Sequence, residues 1–167
     1  MKPHQLSPRQ LSLLLDAAGA SPDQLERWRD GACLAYLGGS IALTLDTDQK
    51  TAVRIDRVLH LPLPPGASLR QIQDAAEAWL RQEATQLIGA AIARQVLRLG
   101  CAAPRWALSF AARASWAQPD RSGVLRCNWR LIEQPEDMIE QVIGRAISSS
   151  AKICVAETGD LWGLTAT

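Results

Sequence analysis

Histidine is scarce in this sequence: His4 and His60 are the only two in 167 residues. That count excludes a site built on clustered imidazoles before any motif is considered. Aromatic residues other than tryptophan are nearly missing, with one Phe and one Tyr against six Trp. The cysteines at 33, 101, 127 and 154 are far apart and form no C-x-x-C pair. A disulfide or zinc framework therefore lacks support, and reduced, mostly buried thiols in a cytoplasmic protein are expected. Neither sign of charge is in excess: 18 Lys+Arg face 17 Asp+Glu, which argues against a nucleic-acid-coating protein and against a polybasic membrane binder. No apolar run reaches the roughly 18 residues needed to cross a bilayer. The opening Met1-Lys2-Pro3-His4-Gln5 has one positive charge, and the apolar patch behind it is broken by Ser12 and Asp16, a poor secretion signal.

What remains is a chain 47% apolar and 21% charged, enough to exclude disorder and to fill one core, so residues 1–167 read as a single domain. Ser7-Pro8 and Ser21-Pro22 each set a hydroxyl cap before a proline, which predicts a helical extension over residues 1–33. Period-two alternation follows over 34–66. Leu34–Leu37 and Ile41–Leu45 flank Gly38-Gly39, and Ala52–Ile55 and Val58–Leu61 flank Asp56-Arg57. Ser68-Leu69-Arg70-Gln71 is a capping box opening a long helix over 68–100. Its stripe includes Leu69, Ile72, Ala76, Trp79, Leu80, Ile88, Ala91 and Ile92, and it stops at Gly100. Strands are expected within 104–132, at Trp106–Phe110 and Val124–Leu131, with a turn-rich loop over Gln118–Gly123. A last helix covers 135–152, opened by Pro135-Glu136-Asp137, striped by Ile139, Val142, Ile143, Ala146 and Ile147, and expected to fray at Ser148–Ser150.

Three stretches carry a resemblance. They are His60-Leu61-Pro62-Leu63-Pro64-Pro65-Gly66 leading to Trp79-Leu80; Pro104-Arg105-Trp106-Ala107-Leu108-Ser109 with Arg113-Ala114-Ser115-Trp116; and Gly123-Val124-Leu125-Arg126-Cys127-Asn128-Trp129-Arg130-Leu131-Ile132 followed by Pro135. Together they make the region from Tyr36 to Trp162 resemble the YgjP-like metallopeptidase domain family, relatives of the SprT-like zinc peptidases. Members read much like R-W-G-S-C, then G-x-L-R-L-N-W-R-L, then a helix containing H-E-L-A-H. The resemblance implies an α+β, zincin-like fold: an antiparallel sheet, a long spine helix and an active-site helix. In that helix two histidines at i and i+4 hold zinc, and the glutamate beside the first is general base toward the zinc-bound water.

Carried onto this chain, the first histidine falls on Arg145, the glutamate on Ala146 and the second histidine on Ser149. Arg145 has no lone pair for a metal, Ala146 cannot move a proton, and Ser149 is a weak neutral ligand. The downstream ligand should lie between Ser150 and Leu161-Trp162, where Glu157 is the nearest oxygen donor. Ser115-Trp116-Ala117-Gln118-Pro119 keeps only the tryptophan of R-W-G-S-C. The resemblance so read implies a degenerate member with no catalytic residues, no zinc, and a binding or regulatory role. A residual surface would comprise Trp116, Arg130, Arg145, Glu157 and Trp162, with a protein partner possible. Two alternatives stand beside it. An active metal-dependent peptidase would recruit Glu140, Glu157, Asp160, Cys154 or His60. A weak nucleic-acid-binding module would use the eight arginines that face five acids between Arg94 and Arg145, although specific DNA surfaces are usually more positive.

Overall fold

The computed structural model describes residues 27–111 and 115–159, with side chains described as far as Ser150. The helical extension expected over 1–33 falls almost wholly outside the described residues. The chain divides into two compact units, residues 1–34 with 40–77 and residues 35–39 with 78–167.

The first unit holds most of a four-stranded sheet: β1 (Cys33–Tyr36), β2 (Gly39–Leu45), β3 (Val53–Ile55) and β4 (Val58–Leu61), in the order β1-β2-β4-β3. β1 turns into β2 through Leu37 (φ 47°) and Gly38 (φ 75°), two consecutive left-handed residues one position earlier than the Gly-Gly pair suggested. β3 turns into β4 through Asp56, also left-handed at φ 54°. β4 lies between β2 and β3, parallel to the first and antiparallel to the second. Burial explains the order: Leu59 and Leu61 of β4 are fully buried, while β3 is largely exposed and takes the edge. The Asp46 carboxylate secures the β2–β3 crossing by accepting from Asp48 N (3.0 Å), Gln49 Nε2 (3.3 Å) and the ring Nδ1 of His60 (3.0 Å). These contacts, the Asp48 amide first, hold its pKa below the ordinary carboxylate value.

The long helix α1 runs Leu69–Leu99 and begins as its sequence dictates. Ser68 N donates to Gln71 Oε1 (2.9 Å), and Gln71 N donates back to Ser68 Oγ (3.3 Å). Gly100 ends it in the left-handed region, at φ 63°. Ile72 and Ala76 are buried in the first unit, and Trp79, Leu80, Ala84, Ile88, Ala91 and Ile92 in the second.

The second unit contains β5 (Trp106–Ser109), β6 (Ala117–Pro119) and β7 (Leu125–Asn128), a 3₁₀ turn (Trp129–Glu133) and helix α2 (Glu136–Gly159). Its sheet has the order β5-β7-β6, with β7 parallel to β5 and antiparallel to β6. The chain again visits the edge and then inserts the more buried strand in the middle. The fold is α+β as expected, but both sheets are mixed, not antiparallel, because of these two insertions. The expected strand over 124–131 ends at Asn128, whose side chain accepts from Arg130 N (3.0 Å) and starts the 3₁₀ turn instead. Part of the expected loop at 118–123 is strand β6. Its Pro119 is tolerated because an edge strand needs fewer ladder donors.

Candidate functional site

β6 and α2 together wall a hollow in the second unit. β6 is fixed to β7 from both ends. At one end Asn128 N donates to Trp116 O (2.8 Å). At the other, the Asp120 carboxylate accepts from Ser122 Oγ (2.6 Å), Ser122 N (2.8 Å), Arg126 Nε (2.9 Å) and Val124 N (3.1 Å), closing the turn through left-handed Gly123. These bonds hold the Asp120 carboxyl well below the usual carboxylate range, Ser122 contributing most and Arg126 next. Asn128, 4% exposed, also donates side-chain Nδ2 to Ala111 O (3.4 Å), so its backbone N–H holds Trp116 O while its side chain ties down Ala111 and begins the 3₁₀ turn.

α2 follows Pro135 directly, with Glu136 and Asp137 in its first turn, where the helix dipole favours acids. Ile139, Ile143, Ala146 and Ile147 form the buried stripe, and Gln141, Arg145 and Ser149 form an exposed row one turn apart. The serines expected to fray the helix lie inside it. The Oγ atoms of Ser148, Ser149 and Ser150 each donate to the carbonyl four residues earlier at 2.9 Å.

A cavity of about 320 Å³ lies between the two elements, lined by Trp116, Ala117, Gln118, Pro119, Val142, Arg145, Ala146 and Ser149. Arg145, Ala146 and Ser149, the three positions assigned on α2, and Trp116 thus meet in one place. A second hollow, about 550 Å³, adjoins it through Arg145 and Ser149 and adds Arg98, Gln141, Gly144 and Ser148. The first has a mainly apolar wall, and the second carries two guanidinium groups.

Other expected residues lie elsewhere. Arg130 lines neither hollow: it sits 3.9 Å from Glu133 and 5.7 Å over the Trp129 ring. Glu140 accepts from Arg94 (2.6 Å) and Gln95 Nε2 (2.5 Å), and His60 is engaged with Asp46 in the first unit. The side chains of Cys154, Glu157, Asp160 and Trp162 lie outside the described residues. The Cys127 thiol is fully buried, which pushes its pKa up to about 12 and keeps it protonated.

The sequence reading missed Gln95, Arg98 and Gly144. Gln95 is 6% exposed and stands on the apolar stripe of α1, one turn after Ala91. A lone amide on a buried stripe was the available signal. Its Oε1 accepts from Arg98 Nε (3.0 Å) and Nη2 (2.6 Å), and a Cβ added to Gly144 would lie 2.8 Å from that oxygen.

The donor chemistry around the first hollow does not fit zinc. Arg145 has no lone pair, Ala146 has no donor, and the Ser149 hydroxyl is neutral and already bonded to Arg145 O. No group of three His, Cys, Asp or Glu suited to a metal occurs among the described residues. No described helix is long and apolar enough to cross a membrane.

Two mixed sheets, a long spine helix and a second helix walling a cleft with an edge strand define an α+β domain of the zincin-like metallopeptidase type. The chain belongs to the YgjP-like metallopeptidase domain family, whose model matches residues 10–144. The match starts well before Tyr36, where the motif resemblance began, and ends at Gly144, one residue before Arg145. No curated protein and no solved structure gives a match.

Proposed function

We propose that this is a non-catalytic member of its family, a metallopeptidase-like domain that binds a peptide-like partner in the cleft and does not hydrolyse it. The observation that carries the reading is the composition of that cleft: Arg145, Ala146 and Ser149 line it together, in the positions assigned to two zinc ligands and a general base. A fixed cation repels a divalent ion, and neither neighbour can activate water. The cleft still offers a binding surface, with Trp116, Pro119, Val142 and Ala146 providing apolar lining beside an edge strand. Loss of such a metal need not unfold the domain, because the second unit has an apolar core from Leu80 to Ile147 that contains no metal ligand set among its described residues.

The test is a peptidase assay on unstructured casein with added zinc, repeated with a chelator. The reading expects no cleavage under either condition. Cleavage that needs zinc and disappears on chelation overturns it.

A further inference from the structure

We infer that the two hollows sharing Arg145 form one site for the free C-terminal carboxylate of a peptide whose last residue is apolar. The inference rests on the non-catalytic reading and names the ligand of the same cleft.

Neither Arg98 nor Arg145 forms an ion pair with a described carboxylate, although both line the same hollow. Glu140, an acid of the same helix as Arg145, is taken by Arg94 and Gln95. Arg98 is held instead by a neutral acceptor. Gln95 Oε1 takes two of its N–H groups, and Gln95 is itself buried and anchored through Nε2 on Glu140. A guanidinium oriented by an amide keeps its full charge and its remaining donors, whereas one oriented by a carboxylate is neutralised. Gly144 is what allows this approach: its missing Cβ leaves room for Gln95 Oε1 and for Arg98 Nη2, which would lie 2.8 and 3.2 Å from it.

The adjoining cavity of about 320 Å³ offers Trp116, Pro119, Val142 and Ala146, enough apolar surface for one aliphatic side chain. Arg145 stands at the junction, so an apolar side chain and a carboxylate on the same residue can reach both hollows. β6 is only three residues long, contains Pro119, and is closed by the Asp120 turn. Such a short edge suits the end of an extended chain better than a chain running through.

The experiment is a nuclear magnetic resonance titration of the ¹⁵N-labelled full chain with zinc present. The probe is N-acetyl-trialanyl-leucine as the free acid, compared with its C-terminal amide, and peptide integrity is checked afterwards by mass spectrometry. The free acid is expected to shift the Gly144, Ser148 and Ser149 amides and to bind at least about tenfold more tightly than the amide. Arg145→Gln, an exposed substitution that leaves the core untouched, is expected to abolish the preference for the acid over the amide; Arg98→Gln is expected to do the same. Equal binding of acid and amide, no binding of either, or an Arg145→Gln variant that keeps the preference, each with the peptide intact, overturns this inference alone. Binding of inorganic phosphate with no response to the peptide also overturns it. A peptide cut in the presence of zinc overturns the non-catalytic reading beneath it.

Discussion

Replacing Gly144 by alanine tests whether α1 and α2 meet as described. In an ordinary helix this substitution stabilises by about 1 kcal/mol, because alanine loses less backbone entropy than glycine. Here the added methyl would stand 2.8 Å from Gln95 Oε1 and 3.3 Å from its carbonyl carbon. Gln95 has little room to retreat, being 6% exposed and bonded to both Glu140 and Arg98. Overpacking costs about 1–3 kcal/mol, and losing a hydrogen bond to a charged group costs about 1.5–3 kcal/mol. Set against the helix gain, the net is a loss of roughly 1.5–5 kcal/mol. At about 2–4 °C per kcal/mol for a chain of this size, Tm falls by roughly 3–20 °C in a circular-dichroism melt. Adding Gln95→Ala to Gly144→Ala removes the clash, so the double variant loses less than the sum of the singles. A Gly144→Ala protein more stable than the parent by the ordinary helix increment would refute the packing.

Four further outcomes follow from the same structure. Ile143→Ala, at a fully buried position on α2, costs about 2–5 kcal/mol in denaturant unfolding. Asn128→Ala loses the side-chain cap of the 3₁₀ turn and the Nδ2 bond to Ala111 O, costing on the order of 1 kcal/mol in denaturant unfolding, while the backbone bond to Trp116 O is kept. Asp120 has a depressed pKa, so its contribution is present in full above the unfolded carboxylate value of about 3.9 and is lost as pH falls through the lower folded value. Asp120→Asn therefore lowers stability at neutral pH and flattens the acid limb of a stability-against-pH profile. Iodoacetamide applied to the native chain modifies exposed Cys33 and spares buried Cys127, which reacts only after denaturation, as peptide mass spectrometry will read.

Local rules made much of this architecture legible. The Ser68–Gln71 box, the Gly100 stop and the alternation of Leu59 and Leu61 with Val58 and His60 are short-range signals, and each appears as read. Strand order was not legible. Inserting β4 between β2 and β3, and β7 between β5 and β6, depends on which strand buries more surface against the rest of its unit, a long-range property. β6 was hidden because Pro119 and the following Asp120–Gly123 turn look like loop in isolation, yet pairing with β7 imposes strand geometry. The frayed end expected at Ser148–Ser150 does not occur: the helix runs on to Gly159, and the three hydroxyls bond the carbonyls four residues earlier instead of capping it. Within the candidate site, the i, i+4 spacing of Arg145 and Ser149 and the nearby Trp116 were readable from the family pattern. Arg98 was not, since it reaches the cleft from another helix by way of Gln95.

The central claim is that Arg145, Ala146 and Ser149 stand where zinc ligands and a base would be. A competition titration against a chromophoric zinc chelator tests it on two proteins, the parent and the triple variant Arg145→His, Ala146→Glu, Ser149→His. The account predicts no measurable zinc affinity in the parent and a weak, measurable affinity in the variant, which regains two ligands. A parent that holds one zinc tightly, or a variant that binds no more than the parent, contradicts it.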